Sequence, residues 1–248
     1  MYSMKDIISS LPKEKVKEDS LWIRIFLRPI SFPVAWFALL LGLSPCSVTY
    51  FSSLVSITGG VLFSLHPDYK PVLIGIGAIL FNVFAVLDCV DGNMARVTKT
   101  AGPWGGWADA VMGFIAYTSV FFGTGIYVFW KTAWWPVLII AGLTSSANLL
   151  TRVAYQIYKN IVGESAHGSV SFERLLAGNV GITGLLMPLV LIFHYCNFLP
   201  GMWGIIWFNA AFYGGGCFIT VFKIAIKAAK GQALLKQQAP KNIETETK

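Results

Sequence analysis

Apolar runs of about 20 residues, the length that an α-helix needs to cross a bilayer, dominate the chain from residue 47 onward. Short polar stretches separate these runs. The pattern predicts six membrane-spanning helices, at residues 47–65, 71–90, 109–130, 133–152, 178–198 and 203–226. Turns are predicted at residues 66–70 and 198–201, where a proline interrupts the apolar pattern.

The N-terminal region follows a different pattern. Residues 1–20 are polar and of mixed charge, which predicts a solvated helix or tail. Residues 21–28 combine large apolar side chains with two arginines, which is typical of a helix at the membrane surface, and Pro29 is expected to end it. Residues 30–43 are apolar but short for a span and contain Pro33, so a surface-lying or re-entrant segment is expected.

The composition supports a membrane protein. Of the 248 residues, 55% are hydrophobic and 12% are charged, whereas a soluble domain has about 25% charged residues. The predicted fold class is all-α: a polytopic membrane protein with a six-transmembrane-helix bundle and an N-terminal interfacial helix. The predicted regions are a cytoplasmic N-terminal segment with the interfacial or re-entrant helix (1–46), the membrane domain (47–226) and a basic cytoplasmic tail (227–248).

The basic residues predict the orientation. With the N-terminus in the cytoplasm, 17 of the 19 lysines and arginines fall on the cytoplasmic side of the six spans, and only Lys70 and Lys131 lie outside. This distribution fits the positive-inside rule with both termini in the cytoplasm. The net charge of +7 therefore indicates anchoring at the membrane surface, and no nucleic-acid partner is expected.

Three aspartates lie where two of the apolar runs end. Asp88 and Asp91 are three positions apart and share a face of a helix, and Asp109 begins the next span. Charged residues inside a membrane are costly and mark functional sites. If the three carboxylates converge in space with no basic side chain between them, they repel one another. A hard divalent cation (magnesium, calcium or manganese) would remove that repulsion.

The spacing around these acids is specific. From Asp91 the chain reads Asp-Gly, two residues, Ala-Arg, eight residues, Gly105, three residues and Asp109, with Asp88 in front. This string resembles the signature of the CDP-alcohol phosphotransferase (CDP-alcohol phosphatidyltransferase) family. The start of the first span partly resembles a second family string, since Pro45 and Thr49 match while Cys46 stands where the family has asparagine.

The resemblance implies a transferase that moves a phosphatidyl-type group from a CDP-alcohol, such as CDP-diacylglycerol, to an alcohol or phospho-alcohol acceptor and releases CMP. It implies Mg²⁺ (or Mn²⁺) dependence, membrane lipid as a partner, phospholipid biosynthesis and a homodimer. The residues that it implies are the metal ligands Asp88, Asp91 and Asp109, of which Asp91 and Asp109 are also catalytic, and the nucleotide-binding residues Thr49, Asp88, Gly92, Ala95, Arg96 and Gly105.

The chain departs from the family at Gly113. The family has a fourth aspartate there, which binds a second metal ion and is the proposed base for the acceptor hydroxyl. Glycine offers neither function, which leaves three alternatives: another base, Asp109 or His167, takes the proton, the acceptor needs little deprotonation, or the chain is an impaired relative that binds CDP-alcohol or CMP without turnover. A transporter that uses the acids as an ion path is a further interpretation, although the first, fourth, fifth and sixth spans contain no acid.

Three basic residues on the side of the acids are weaker candidates for binding the acceptor. These are Arg152, Lys159 and Arg174. Basic residues at these positions are equally expected from the positive-inside rule alone. The sequence names neither the nucleotide donor nor the acceptor.

Overall fold

The structure is a computed structural model that describes residues 2–162, 181 and 184–238. All regular elements among these residues are helices, which confirms the all-α prediction. The helices are α1 (Met4–Ser9), α2 (Lys13–Glu18), α3 (Arg28–Leu40), α4 (Pro45–Phe63), α5 (Pro71–Val97), α6 (Pro103–Thr132), α7 (Pro136–Val162), α8 (Leu186–Tyr195), α9 (Leu199–Asn209) and α10 (Gly216–Gln238). Two π-helical segments, Ile23–Leu27 and Ala210–Gly215, lead into α3 and α10.

Six helical stretches in the described residues are long and apolar enough to cross a membrane, which confirms a polytopic membrane protein. Five of them overlap the first four and the last of the predicted spans. The sixth is Ile23–Leu40, which the sequence pattern assigned to the membrane surface. The predicted span 178–198 lies partly outside the described residues, and its described part contains the shorter apolar helix α8.

The prediction that Pro29 ends a helix is wrong. Helical structure continues from residue 21 to residue 40, with Pro29 in the first turn of α3 and Pro33 inside it. The preceding π-segment explains why Pro29 is tolerated, since the Arg28 N–H bonds to the Ile23 carbonyl and the ordinary bonding pattern is already interrupted. The predicted turn at 198–201 also shifts, because α9 begins at Leu199 with Pro200 in its first turn.

The N-terminal region is less solvated than its polarity indicates. Ile7 of α1 is fully buried and packs with Ala35 of α3 and Met94 of α5. Asp19 is also buried, at 6% exposure. Helix α1 therefore packs against the end of α5 that carries the aspartates.

Glycines allow α4, α5 and α6 to pack closely. A Cβ atom added at Gly77 of α5 would lie 2.7 Å from the Gly59 carbonyl oxygen and 2.8 Å from the Phe63 amide nitrogen of α4. A Cβ atom at Gly60 would lie 2.9 Å from the Ser119 carbonyl oxygen of α6. Small residues at helix contacts in membranes serve this purpose. The close packing fixes the three helices that carry Thr49 and the aspartates.

Gly77→Ala is expected to destabilise the protein by about 1–3 kcal/mol, the usual cost of overpacking a tight core. The added methyl group would meet backbone atoms, which cannot rotate away. Thermal unfolding in detergent measures the effect. Gly204→Ala is the matched control because Gly204 is exposed and no atom lies within 4 Å of an added Cβ. Equal melting temperatures for the two variants would contradict the packing argument.

Candidate active site

The acidic string lies on an antiparallel hairpin of two helices. Asp88 and Asp91 lie in the last three turns of α5 and share one face. After the turn 98–102, α6 begins at Pro103 and carries Asp109 in its second turn. The charges of Asp91 and Asp109 both act on Asp88. The hairpin thus brings the three predicted metal ligands into one electrostatic neighbourhood.

Thr49 joins α4 to this site. Its hydroxyl donates a 2.6 Å hydrogen bond to an Asp91 carboxylate oxygen, and both residues are buried. The same hydroxyl lies 3.2 Å from the Pro45 carbonyl oxygen, a longer contact within α4. A short hydrogen bond to a charged acceptor is among the stronger ones in proteins. The bond fixes the Asp91 carboxylate, whereas Asp88 is half-buried and Asp109 is exposed.

Gly92 and Arg96 also meet in the structure. A Cβ atom added at Gly92 would lie 3.2 Å from Nη1 and 3.4 Å from Nη2 of Arg96, so the absence of a side chain lets the guanidinium lie over the helix. Arg96 Nη2 donates a 2.6 Å hydrogen bond to the Asn93 side-chain oxygen. Arg96 Nε is buried and has no hydrogen-bond partner. An unpaired buried N–H group is costly and calls for an explanation.

Gly105 leaves open space at the start of α6, and Ala95 lies on the face of α5 that carries Asp91. Ala95 lies four positions after Asp91 and therefore on the same face of α5. At Gly105, in the first turn of α6, an added Cβ would meet no atom within 4 Å. The structure is thus open where the sequence predicts that the nucleotide packs.

At Gly113 the structure places a cation beside the missing carboxylate. Gly113 is buried in α6, and within 4 Å of an added Cβ lies only Nη1 of Arg152, at 3.7 Å. The Arg152 guanidinium, carried by α7, lies 4.2 Å from the ring centre of Tyr117 and 5.6 Å from that of Phe114. Its charge acts on both Asp88 and Asp109. Arg152 therefore lies in the same electrostatic neighbourhood as the acids.

The two other acceptor candidates are not placed. Lys159 lies in α7, but its side chain is outside the described part of the structure. Arg174 and the alternative base His167 lie outside the described residues. Their assignments stay predictions.

The donor set at the site suits a divalent cation. The described residues contain no compact group of three or more histidine, cysteine or acidic side chains that is ready to hold a metal ion. However, Asp88, Asp91 and Asp109 are hard oxygen donors whose charges act on one another, and none of them is in an ion pair with a described basic side chain. These three residues therefore fit a divalent metal as its ligands.

Comparison with known proteins decides the family. A family model described as CDP-alcohol phosphatidyltransferase matches residues 42–222, well over half of the chain. The chain belongs to the CDP-alcohol phosphatidyltransferase family. The match confirms the resemblance read from the acidic string, and all elements of the hairpin that carries the string lie inside it.

A phosphatidylinositol phosphate synthase from Streptomyces avermitilis is also similar to this family member. The two chains are 28% identical over 106 residues, which are 43% of this chain and 41% of the relative. Because the aligned part is about two fifths of the relative's length, it does not carry the relative's reaction over to this CDP-alcohol phosphatidyltransferase-family chain.

Three buried polar residues of this family member were not predicted from sequence. Asp19, Arg28 and Asn93 form a hydrogen-bonded group that reaches Arg96 of the signature. The sequence contains one indication of this group. Arg28 lies in an otherwise apolar stretch, where a charge without a partner is costly. The identity of its partner, nine residues earlier in a mixed-charge segment, could not be chosen from sequence.

Proposed function

We propose that the protein is a membrane transferase that moves a phosphatidyl-type phospho-alcohol group from a CDP-alcohol to the hydroxyl group of an acceptor and releases CMP. The observation that supports the proposal is the α5–α6 hairpin, which carries Asp88, Asp91 and Asp109 within the part of the chain that the family model matches. Phospholipid biosynthesis is the proposed context, with CDP-diacylglycerol as the first nucleotide donor to test.

The proposed reaction is a displacement at phosphorus. The acceptor oxygen forms a bond to the phosphorus of the phospho-alcohol group, the bond from that phosphorus to the bridging oxygen breaks, and CMP leaves with that oxygen. The acceptor hydroxyl loses its proton to a carboxylate, for which exposed Asp109 is the first candidate and Asp91 the second. The protein's main task is to hold the two reactants in line.

Asp88, Asp91 and Asp109 would hold the divalent cation, Mg²⁺ or Mn²⁺, that the family requires. When bound, such a cation supplies positive charge that polarises the phosphoryl group and stabilises the leaving phosphate. Thr49 orients Asp91 for this role through the 2.6 Å hydrogen bond. Arg96, above Gly92, offers a planar cation to the nucleotide phosphates.

The direct test is CMP release by purified protein with Mg²⁺ or Mn²⁺, CDP-diacylglycerol or another CDP-alcohol, and a panel of acceptors. The relative from Streptomyces avermitilis is named as a synthase of phosphatidylinositol phosphate, so a phosphorylated polyol is the first acceptor to try. Arg152, beside Gly113, is the described basic residue proposed to contact that acceptor. Lack of release from every pair would contradict the transferase proposal.

A second candidate function is binding of CDP-alcohol or CMP without turnover. The observation that favours it is Gly113, which has no carboxylate and lies beside a cation instead. Calorimetry with CMP and CDP-alcohols separates the two functions. Metal-dependent binding without CMP release would support the binding protein, and robust release by the unmodified chain would eliminate it.

Thr49→Val is expected to lower the rate of CMP release by about tenfold, because a hydrogen bond to a charged group contributes about 1.5–3 kcal/mol and each 1.4 kcal/mol is a factor of ten. Valine keeps the shape of threonine but leaves Asp91 without its donor. Thr49→Ser keeps the hydroxyl and is the matched control. If valine and serine have the same effect, the hydrogen bond does not position Asp91.

We further propose that both termini and the site face the cytoplasm and that the protein is a homodimer. The orientation rests on the 17 of 19 basic residues that fall on that side of the predicted spans. Labelling of single cysteines placed near Asp6 and Asp68 tests it, since these residues are expected on opposite sides. Light scattering in detergent measures the mass of the assembly.

A further inference from the structure

A buried ion pair fixes the N-terminal region against α3. Arg28 Nε donates to one carboxylate oxygen of Asp19 at 2.7 Å, and Arg28 Nη2 donates to the other at 3.3 Å. Both residues are buried, at 7% and 6% exposure. Both carboxylate oxygens of Asp19 accept hydrogen bonds from Arg28, so Asp19 is the ion-pair partner of Arg28. Removing one partner of such a pair is strongly destabilising.

Asn93 connects this pair to Arg96. The Asn93 side-chain oxygen accepts hydrogen bonds from Arg28 Nη1 at 3.0 Å and from Arg96 Nη2 at 2.6 Å. The Asn93 side-chain nitrogen donates to the Ser31 hydroxyl at 2.9 Å. Because guanidinium groups only donate hydrogen bonds, the side-chain oxygen of Asn93, and not its nitrogen, must face Arg28 and Arg96. Fully buried Asn93 therefore holds Arg96 through a neutral acceptor rather than through a carboxylate.

Arg96 is held without a direct carboxylate partner, although the charge of Asp91 acts on it beyond ion-pair distance. No described carboxylate forms an ion pair with it, and its buried Nε has no hydrogen-bond partner. The nearby Arg28 is a second cation, whose own charge is balanced by Asp19. A cation that is fixed in place, carries an unused donor and lacks a carboxylate partner is suited to bind a phosphate.

We propose that Asp19, Arg28 and Asn93 are positioning residues that hold Arg96 ready for the phosphates of the nucleotide. Asp19 balances the charge of Arg28, and Asn93 orients Arg96 without neutralising it. The N-terminal segment is thus part of the phosphate-binding site rather than only a membrane anchor. This inference rests on the proposed function for the identity of the ligand as a CDP-alcohol, but the anion site itself does not.

The test is Asn93→Asp, which has nearly the same shape and places a carboxylate between the two guanidinium groups. The variant is expected to unfold at about the same temperature, because its charge is paired on both sides and the Ser31 hydroxyl can turn from the Arg28 carbonyl to donate to the carboxylate oxygen that replaces the amide nitrogen. Its affinity for inorganic pyrophosphate and for CDP, measured by calorimetry, is expected to fall by about tenfold, since Arg96 is now neutralised. A merely structural role would not separate stability from affinity in this way.

A double-mutant cycle with Arg96→Gln distinguishes positioning from simple repulsion of the anion. If Asn93 acts through Arg96, Asn93→Asp has little effect on pyrophosphate affinity in the Arg96→Gln background. An equal loss of affinity in both backgrounds, or no loss in either, would overturn the proposal. Thr98→Asp, which adds the same charge further along the same helix end, is the matched control and is expected to weaken binding much less.

Arg28→Lys provides a second variant in case Asn93→Asp does not fold. Lysine keeps the charge but has no planar fork to contact Asp19 and Asn93 together. It is expected to weaken pyrophosphate binding, again only when Arg96 is present. Pyrophosphate binding that follows this pattern without any CMP release would support the positioning role and count against the transferase. If the unmodified chain binds neither pyrophosphate nor CDP, both proposals fail.

Discussion

Asp109→Asn is expected to release CMP at least about a hundredfold more slowly than the unmodified protein, because a bound cation contributes several kcal/mol and each 1.4 kcal/mol is tenfold. Asparagine has the same shape but no charge, so it weakens the cation site and cannot accept the acceptor's proton. Asp109 is exposed, so the substitution leaves no buried group unpaired. The measurement is the initial rate of CMP release at saturating Mg²⁺.

Asp68→Asn is the matched control for this prediction. Asp68 is also an exposed aspartate, but it lies before α5, at the end of that helix away from Asp88 and Asp91, and is paired with Lys131 at 2.8 Å. Its replacement is expected to leave the rate close to that of the unmodified protein. Similar rates for Asp109→Asn and the unmodified chain would exclude Asp109 from both of its proposed roles.

The second large expected effect is on the affinity for Mn²⁺. Substitutions at Gly113 and Arg152 are expected to change this affinity non-additively. In Gly113→Asp the new carboxylate is expected to pair with Arg152, whose Nη1 lies 3.7 Å from the position of the added Cβ. Affinity for Mn²⁺ in the presence of CDP is then expected to change little. In the double variant Gly113→Asp, Arg152→Gln the carboxylate is free, and Mn²⁺ affinity is expected to rise by about 10- to 100-fold.

Manganese titration followed by electron paramagnetic resonance measures both affinity and stoichiometry. Arg152→Gln alone is the control, since it removes the cation without adding a ligand. If Gly113→Asp alone raises Mn²⁺ affinity as much as the double variant does, Arg152 does not occupy the new carboxylate. If neither raises it, position 113 does not face the cation site.

The hairpin and its acids were predictable because their signals are local. Asp88 and Asp91 lie three apart in an apolar run, and the spacing to Asp109 is fixed by a short turn, so one window of sequence contains the whole arrangement. Helix boundaries were less predictable. The sequence pattern ended the second span at residue 90, whereas α5 continues to Val97, and the polar residues Asp91 and Asn93 in its last turns are buried rather than exposed to solvent.

The contacts made by the N-terminal region could not be predicted, since they depend on distant residues. Asn93 is 65 residues from Arg28, and nothing in the segment around Asp19 identifies either of them as its neighbours. The role of Thr49 was partly predictable from sequence. The family resemblance suggested it for the nucleotide, and the structure adds a hydrogen bond across 42 residues to Asp91. The position of Arg152 beside Gly113 required the packing of α7 on α6.

The geometry at Thr49 and Asp91 depends on the distant glycine contact between α4 and α5. Thr49 lies ten residues from Gly59 and Asp91 lies fourteen from Gly77, so both are about 15–20 Å along their helices from the point of closest approach. Because α4 and α5 also meet through the hydrogen bond between Thr49 and Asp91, a change of spacing at the glycines is expected to alter the geometry of that bond. A substitution at the glycine contact is therefore expected to slow the proposed release of CMP without changing any residue that is proposed to contact the reactants.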